Sequence, residues 1–283
     1  MRIDNRKMIA ALDRADRERY YPWLTDLSLA GQDYKVNEII CFAADEENPL
    51  TDFAMIKKYD MGFLLILLYT EKESLLRECM DYAESVAADF SEIELRTPYP
   101  AVLDSERIQR RFSVTEPEEP ASPVYYIHSP KELASAVPDD TVSVTPYRES
   151  DKAEIAQAVC SGKLDGASMN ANMFVPCTVF RDVKWYILRV NGEIAGYLRG
   201  ECGYANVYDI GWLYVEPRFR GRGYAVRLVL YFSEELFASG AVPHYGYAIS
   251  PSSERVAEKC GFVCDPEIIE CRTLTLKRAD KAI

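Results

Sequence analysis

Histidine is scarce in this sequence: there are two among 283 residues, and the eight cysteines include no CxxC pair. Structural zinc sites are built from cysteine or from cysteine and histidine ligands at close, regular spacing, so we expect no metal site, although Cys260 and Cys264 lie four residues apart. No positively charged segment followed by an apolar one precedes the cysteines. This pattern predicts reduced thiols and a cytoplasmic protein.

Long apolar runs and a surplus of basic residues are also missing. The longest apolar run, Phe63 to Tyr69, is much shorter than the roughly 20 residues that a membrane-spanning helix needs. The formal net charge is −12, with 45 acidic and 33 basic residues, which disfavours an extended track for nucleic acid or an anionic membrane. We therefore expect neither partner, and any anionic ligand must be bound by a local basic cluster. The oligomeric state stays open.

The chain is long and apolar enough for two domains, since 48% of its residues are hydrophobic. A segment rich in proline and glutamate at 115–123 and a polar break at 138–140 mark the junction. We predict an N-terminal α/β domain over residues 1–136 and a second domain over residues 137–283. The first contains a buried strand at Phe63 to Tyr69, followed by a helix that extends to about Ala88.

The second half alternates strands, turns and helices in a regular order. Asn191-Gly192 is a strong two-residue hairpin signal, and Gly240 is placed to end a helix. Ser250-Pro251 is typical of a helix start. The predicted strands of this half include Lys184 to Val190, Glu193 to Gly200, Val207 to Val215, His244 to Ile249 and Glu267 to Leu276.

A basic, glycine-rich turn, Arg220 to Ala225, separates the strand that ends at Val215 from the following helix. Glycines let backbone N–H groups approach a ligand closely, and the helix start adds partial positive charge. Arginines at 218, 220 and 222 favour phosphate oxygens as the ligand. The spacing is not a Rossmann GxGxxG motif, because the next glycine after Gly223 is Gly240, and no Walker lysine follows. An ordinary solvated loop is the alternative interpretation.

The stretch Asp209 to Ala225 resembles the GNAT superfamily of N-acetyltransferases. Arg220, Gly223 and Ala225 match the family's turn, arginine-x-x-glycine-x followed by glycine or alanine, and Gly261-Phe262 matches its second signature, at a helix end. The resemblance covers roughly residues 140–276 and implies an α/β fold with a mixed central sheet and a splayed fourth strand. The N-terminal domain is similar to the first half of tandem acyltransferases, as a degenerate GNAT-like copy. An unrelated acceptor-recognition domain is the alternative.

The resemblance also implies a donor and a reaction. Acetyl-CoA is the expected co-substrate, and the implied function is an N-acetyltransferase in which a small-molecule or peptide primary amine attacks the acetyl group directly in a ternary complex. A non-catalytic CoA-binding regulatory module is the alternative. The implied CoA-binding residues are Leu213, Tyr214 and Val215 for pantetheine, Arg220, Gly221, Arg222, Gly223, Tyr224 and Ala225 for pyrophosphate, and Ser250, where the family often has asparagine.

The resemblance also indicates candidate catalytic residues. Asp209 occupies the strand position at which histone-acetylating members carry a glutamate, which makes it the candidate base. The tyrosine that often protonates the departing thiolate is replaced by Ala257, so Tyr245 and Tyr247 are the candidate acids; protonation by solvent and a reaction that needs no acid are the alternatives. His244, beside a proline, is interpreted as structural. Weaker candidates are Glu201, Tyr208 and Glu216 for the base, and Met169, Met173 and Phe174 for acceptor contacts.

Overall fold

The computed structural model describes residues 1–32, 35–103, 108–109, 112–115, 123–136, 139–162, 179–265 and 272–278. The chain divides into two compact units, Met1–Ser122 with Asp265–Ile283, and Pro123–Cys264. Each contains a seven-stranded sheet. Within the described ranges, no helix combines the length and the apolar character that a membrane crossing requires.

The first unit is a mixed sheet with helices packed on it. Helix α1 (Asn5–Asp16) is capped by the side chain of Asp4, which accepts from a backbone N–H of the first turn. Helix α2 (Tyr21–Leu29) follows. The strand order is β1-β2-β3-β4-β5-β14-β6. The strands are β1 (Arg2–Ile3), β2 (Val36–Ala43), β3 (Phe53–Tyr59), β4 (Phe63–Tyr69), β5 (Glu92–Thr97), β6 (Phe112–Thr115) and β14 (Arg272–Arg278).

Strand β4 and the helix after it form the predicted strand-helix unit. Helix α3 (Glu73–Val86) turns an apolar face, which includes Leu75 and Cys79, toward the core of the sheet. The chain then returns through β5, which runs parallel to β4 over five pairs, from Phe63↔Glu92 to Leu67↔Arg96. A short helix, α4 (Pro100–Leu103), follows β5. Strands β4 and β5 are therefore paired along most of their length.

The second unit is also a mixed sheet, of order β13-β7-β12-β11-β10-β9-β8. Strands β8 to β11 form an antiparallel meander, and the hairpin turn at Asn191-Gly192 has the positive φ angles, 50° and 78°, that this turn type needs. The strands are β7 (Val124–Tyr126), β8 (Val142–Pro146), β9 (Asp182–Val190), β10 (Glu193–Tyr204), β11 (Val207–Val215), β12 (Val242–Tyr247) and β13 (Val263–Cys264).

Helices cover both faces of this second sheet. Helix α5 (Asp151–Cys160) packs on one face through Ile155, which joins Ile187 and Tyr197 in a small core. Helix α6 (Tyr224–Ala238) follows β11, helix α7 (Pro251–Cys260) follows β12, and both belong to the larger core on the opposite face. Because side chains alternate along a strand, neighbouring residues of β11 and β12 point to opposite faces.

Strands β11 and β12 separate part-way along their length. They are in parallel register only from Val207↔Val242 to Asp209↔His244, while β12 pairs with β7 along its other edge. Strand β11 continues for six more residues, to Val215, still paired with β10. This divergence confirms the predicted mixed sheet with a splayed strand.

The domain boundaries differ from the predicted 1–136 and 137–283. Residues 123–136 lie in the second unit, because β7 pairs with β12 and β13. The last strand, predicted to close the second domain, belongs instead to the first sheet, where β14 pairs with β5 and β6. An apolar alternation predicts a strand but does not tell which sheet edge the strand completes.

Candidate active site

The turn between β11 and α6 has two glycines in the left-handed region, Gly221 with φ 76° and Gly223 with φ 79°. A Cβ at either position would meet nothing within 4 Å, so the backbone angle, rather than space, requires glycine. Gly223 is the N-cap of α6 and offers no side chain to the first-turn N–H groups. In contrast, the hydroxyl of Ser250 caps α7 by accepting from Ser253 N at 3.2 Å. The start of α6 is therefore suited to an anion.

The arginines of this turn have different roles. Arg220 Nε donates to the Val215 carbonyl at 2.7 Å, and its guanidinium lies 5.6 Å from the centroid of the Tyr214 ring, so the side chain holds the turn against the end of β11. Arg218 pairs with Glu193 at 2.8 Å. Arg222 is exposed. The geometry therefore points to the backbone of the turn, rather than the Arg220 guanidinium, as the ligand-binding element.

Beside the turn lies a cavity of about 440 Å³ with a basic lining. Three of its side chains are cationic, and one of them, Arg227, donates to the carbonyl of Asp139 at 3.0 Å. In a chain of net charge −12, this concentration of positive charge is local. Its lining includes Asp139, Arg222, Gly223, Tyr224, Arg227 and Lys259.

Leu213, Tyr214 and Val215 lie on the part of β11 beyond its last pair with β12. Their backbone is held on one side by β10, through Leu198↔Leu213, Tyr197↔Tyr214 and Gly196↔Val215. On the side toward β12, the registered β11–β12 pairs end at Asp209↔His244, before these three residues. An extended ligand can therefore find backbone donors and acceptors in the gap between the strands.

Asp209 and His244 form the last pair before the strands separate. His244 Nδ1 lies 2.9 Å from Asp209 Oδ1; the histidine side chain is fully buried, whereas that of Asp209 is 29% exposed. Gly246 is packed against this carboxylate, since a Cβ there would lie 2.6 Å from both of its oxygens. Asp209 is thus a partly exposed carboxylate held at the apex of the gap.

Glu201 is the neighbour of Asp209 across the β10–β11 ladder. Its carboxylate is paired with Arg199 at 2.7 Å and packs over Gly211, where a Cβ would lie 2.7 Å from Glu201 Cδ. Trp212 is 51% exposed beside this pair. Glu201 is therefore a second carboxylate on the Asp209 face, but one already neutralised by a cation.

The other candidate bases are engaged elsewhere. The Tyr208 hydroxyl donates to Asp182 at 2.7 Å, and burial raises the pKa of this phenol above its usual range. Glu216 accepts from the Tyr214 hydroxyl at 3.0 Å, beyond the end of β11. Neither group lies at the apex of the gap.

The candidate acid Tyr245 is directed away from the Asp209 carboxylate. Tyr245 is 3% exposed and points to α7, where its hydroxyl lies 2.9 Å from Ser253 Oγ. Burial raises the pKa of Tyr245 to about 12, so the phenol stays protonated at neutral pH. Ala257 is fully buried. The Tyr247 side chain and the acceptor candidates Met169, Met173 and Phe174 lie outside the described residues.

Residues 165–262 match the model of the acetyltransferase (GNAT) family. This segment, about a third of the chain, is a GNAT domain. No curated protein sequence matches the chain. The fold likeness covers both units: a tandem GNAT protein from the clavulanic acid biosynthesis pathway superposes with a TM-score of 0.56 at 13% identity, over 99% of this chain and 95% of that one. A Drosophila protein superposes with a TM-score of 0.54 at 11% identity, over 98% of this chain and 97% of that one.

The GNAT turn and its splayed strand were predicted from the sequence, whereas the partner of Asp209 was not. His244 was interpreted as structural. No sequence motif marks Gly246 as the residue that leaves room for the Asp209 carboxylate. The parallel crossover from β11 through α6 to β12 is the one signal that could have paired positions 209 and 244. The tandem arrangement predicted for the whole chain is confirmed at the level of the fold.

Proposed function

We propose that this protein is an N-acetyltransferase that moves an acetyl group from acetyl-CoA to a primary amine, with Asp209 as the general base. The observation that carries the proposal is the placement of this carboxylate at the apex of a splayed strand pair whose β11 side leads into an anion-binding turn. A donor bound by the β11 backbone and by the turn before α6 would have its acetyl group close to Asp209. An acceptor amine bound beside Asp209 could then attack that acetyl group.

The donor would lie along β11. The backbone N–H groups from Gly221 to Ala225 would bind the pyrophosphate at the uncapped start of α6, and Arg222 and Lys259 would add charge; the Arg220 N–H already donates to the Pro217 carbonyl. The backbone of Leu213, Tyr214 and Val215 would pair with the pantetheine amides. Ser250 already uses its hydroxyl to cap α7, so its expected contact with CoA would have to share that oxygen.

The reaction is a direct acyl transfer. The amine nitrogen forms a bond to the acetyl carbonyl carbon while Asp209 accepts a proton from that nitrogen. A backbone N–H of β11 stabilises the tetrahedral oxyanion, and the carbon–sulfur bond then breaks to give an amide and CoA thiolate. The thiolate takes a proton from solvent or from an acid that stands in for the tyrosine missing at Ala257. The acceptor is a small-molecule or peptide amine.

A regulatory CoA-binding module is the second candidate. It is favoured by Ala257, which stands where the family often has an acidic tyrosine, and by the burial of Tyr245, whose hydroxyl lies 2.9 Å from Ser253 Oγ. Such a module would bind the donor but release no thiol with any amine. The cytoplasmic location and the lack of nucleic-acid or membrane partners stay predictions.

Donor binding is the first experiment, by calorimetric titration with acetyl-CoA. Arg222→Glu places a negative charge beside the phosphate turn and should weaken binding by about 1–2 kcal/mol, or roughly 5- to 30-fold, with the loss reduced at high salt. Arg14→Glu, the same change at an exposed residue of α1, is the matched control and should leave the affinity unchanged. Equal affinities for the two variants, or no binding at millimolar donor, would reject the assignment of the turn.

Turnover is the second experiment, followed as free thiol released in the presence of a panel of amines. Asp209→Asn keeps the shape of the side chain but cannot accept the proton, so we expect kcat to fall by about 100-fold or more while the Kd for acetyl-CoA stays the same. Donor binding without thiol release by the wild-type protein, over a broad panel, would select the regulatory module.

A further inference from the structure

His244 lies next to the candidate base but is too deeply buried to contact an acceptor. Its side chain has no exposed surface, and its Nδ1 lies 2.9 Å from Asp209 Oδ1. An ionised carboxylate can only accept hydrogen bonds, so the ring donates through Nδ1–H. One oxygen of the Asp209 carboxylate is therefore held by the buried His244 ring.

The surroundings of Asp209 restrict the carboxylate further. Asp209 and His244 are the last registered pair of the β11–β12 ladder, so the backbone that carries both side chains is fixed by strand pairing. Gly246, two residues along β12 on the same face, leaves room for both carboxylate oxygens and for little else. A group that transfers a proton must be held within about 0.5 Å of its working position, and such contacts supply that restraint.

We infer that His244 is a positioning residue for Asp209: its Nδ1–H fixes one carboxylate oxygen so that the other is presented to the acceptor amine. This inference rests on the proposed function, because it gives the hydrogen bond a role in that reaction. His244 acts through Asp209 and does not contact either substrate.

Other ionisable groups around the pair bear on its pH dependence. On β10, Glu201 is the cross-strand neighbour of Asp209 and is paired with Arg199. On β12, Tyr245 points to the opposite face, and on β7, Tyr126 is the register partner of His244. On β11, Tyr208 is bonded to Asp182 of β9, beside Lys184. Because Glu201 is paired with Arg199, the His244 donor is the group here whose loss would make the ionised form of Asp209 less favourable.

Two substitutions of similar size separate positioning from packing. His244→Leu and His244→Asn both remove the ring and should destabilise the fold to a similar degree, but only asparagine keeps an N–H donor near the place of Nδ1. We expect His244→Leu to lower kcat by about 10- to 100-fold and to move the acid limb of the kcat/KM profile to higher pH. His244→Asn should stay within about threefold of wild type, with its pH profile unchanged. Neither should change the Kd for acetyl-CoA.

Equal losses in the two variants, with an unshifted pH profile, would overturn the inference and leave His244 as core packing. A second measurement does not need turnover: proton and nitrogen NMR of protein labelled at histidine, where His128→Gln assigns the two histidines. A downfield Nδ1–H signal of His244 that is lost in Asp209→Ala supports the hydrogen bond, and its absence in wild type overturns it. If this signal is present but wild type releases no thiol with any amine, the proposed function fails while the hydrogen bond stands.

Discussion

Gly246→Ala is the smallest change that should displace the candidate base. The new Cβ would lie 2.6 Å from both carboxylate oxygens of Asp209 and 2.9 Å from its Cγ. Ordinary contact begins near 3.4 Å, so the carboxylate has to move by roughly 0.8 Å, the difference between 3.4 and 2.6. Gly246 does not have a positive φ, so alanine fits the backbone itself. The substitution therefore acts on the position of Asp209.

The expected effects on stability and on turnover differ in size. Because Asp209 is 29% exposed, its carboxylate can swing toward solvent, and the cost to folding should be about 1 kcal/mol, the low end for an overpacked site. That cost corresponds to a decrease in Tm of about 2–4 °C. A catalytic group misplaced by about 1 Å can lower turnover by up to 100-fold, so we expect kcat to fall by about 10- to 100-fold.

Gly211→Ala is the matched control, because it displaces the other carboxylate of this face. A Cβ at Gly211 would lie 2.8 Å from Glu201 Oε2 and 2.7 Å from Cδ. Steady-state thiol release, together with the Kd for acetyl-CoA, should show a large loss of kcat in Gly246→Ala and little change in Gly211→Ala. The reverse result would assign the base to Glu201, and wild-type turnover in Gly246→Ala would refute the role given to Asp209.

Two further predictions concern the first unit. We expect calorimetry to show one acetyl-CoA bound per chain. In the first unit, β4 and β5 stay paired, the segment between β4 and α3 has no glycine, and Thr70 Oγ1 already accepts from Lys72 N at 3.0 Å. A stoichiometry of two would contradict this prediction. Lys57→Met should lower the free energy of unfolding by about 3–5 kcal/mol in denaturant titration, because it leaves the buried carboxylate of Asp26 without its cation at 2.8 Å. Adding Asp26→Asn should restore much of that loss, and no recovery would contradict the ion-pair explanation.

The sequence predicted those parts of the fold that local chemistry controls. Strand β4 was expected at Phe63 to Tyr69 and has those bounds, because a continuous apolar run is buried on both faces. The hairpin at Asn191-Gly192 and the helix start after Gly223 follow from positive φ angles that glycine and asparagine tolerate. Ser250-Pro251 begins α7 as expected, with the serine hydroxyl as its cap.

The parts that were missed depend on contacts between distant residues. The final strand, β14, lies between β5 and β6 in the first sheet. The local sequence of β14 does not show which strands it will pair with. The Arg220 side chain was assigned to phosphate, yet it donates to the carbonyl of Val215, since a guanidinium serves either purpose equally well in a sequence. The bond from His244 to Asp209 required the register of two parallel strands.

The two units share a strand–helix–strand crossover but differ in how long its parallel strands stay together. In the first unit, five of the seven residues of β4 pair with β5, and the segment before the helix has no glycine; there the Thr70 hydroxyl accepts from Lys72 N and donates to Asp52. In the second, three of the nine residues of β11 pair with β12, and the helix starts at a bare glycine. An open strand edge costs free energy unless water or a ligand satisfies its backbone groups. The second unit keeps both the open edge and the uncapped helix start on one side of Asp209, which is the arrangement that a long anionic donor would fill.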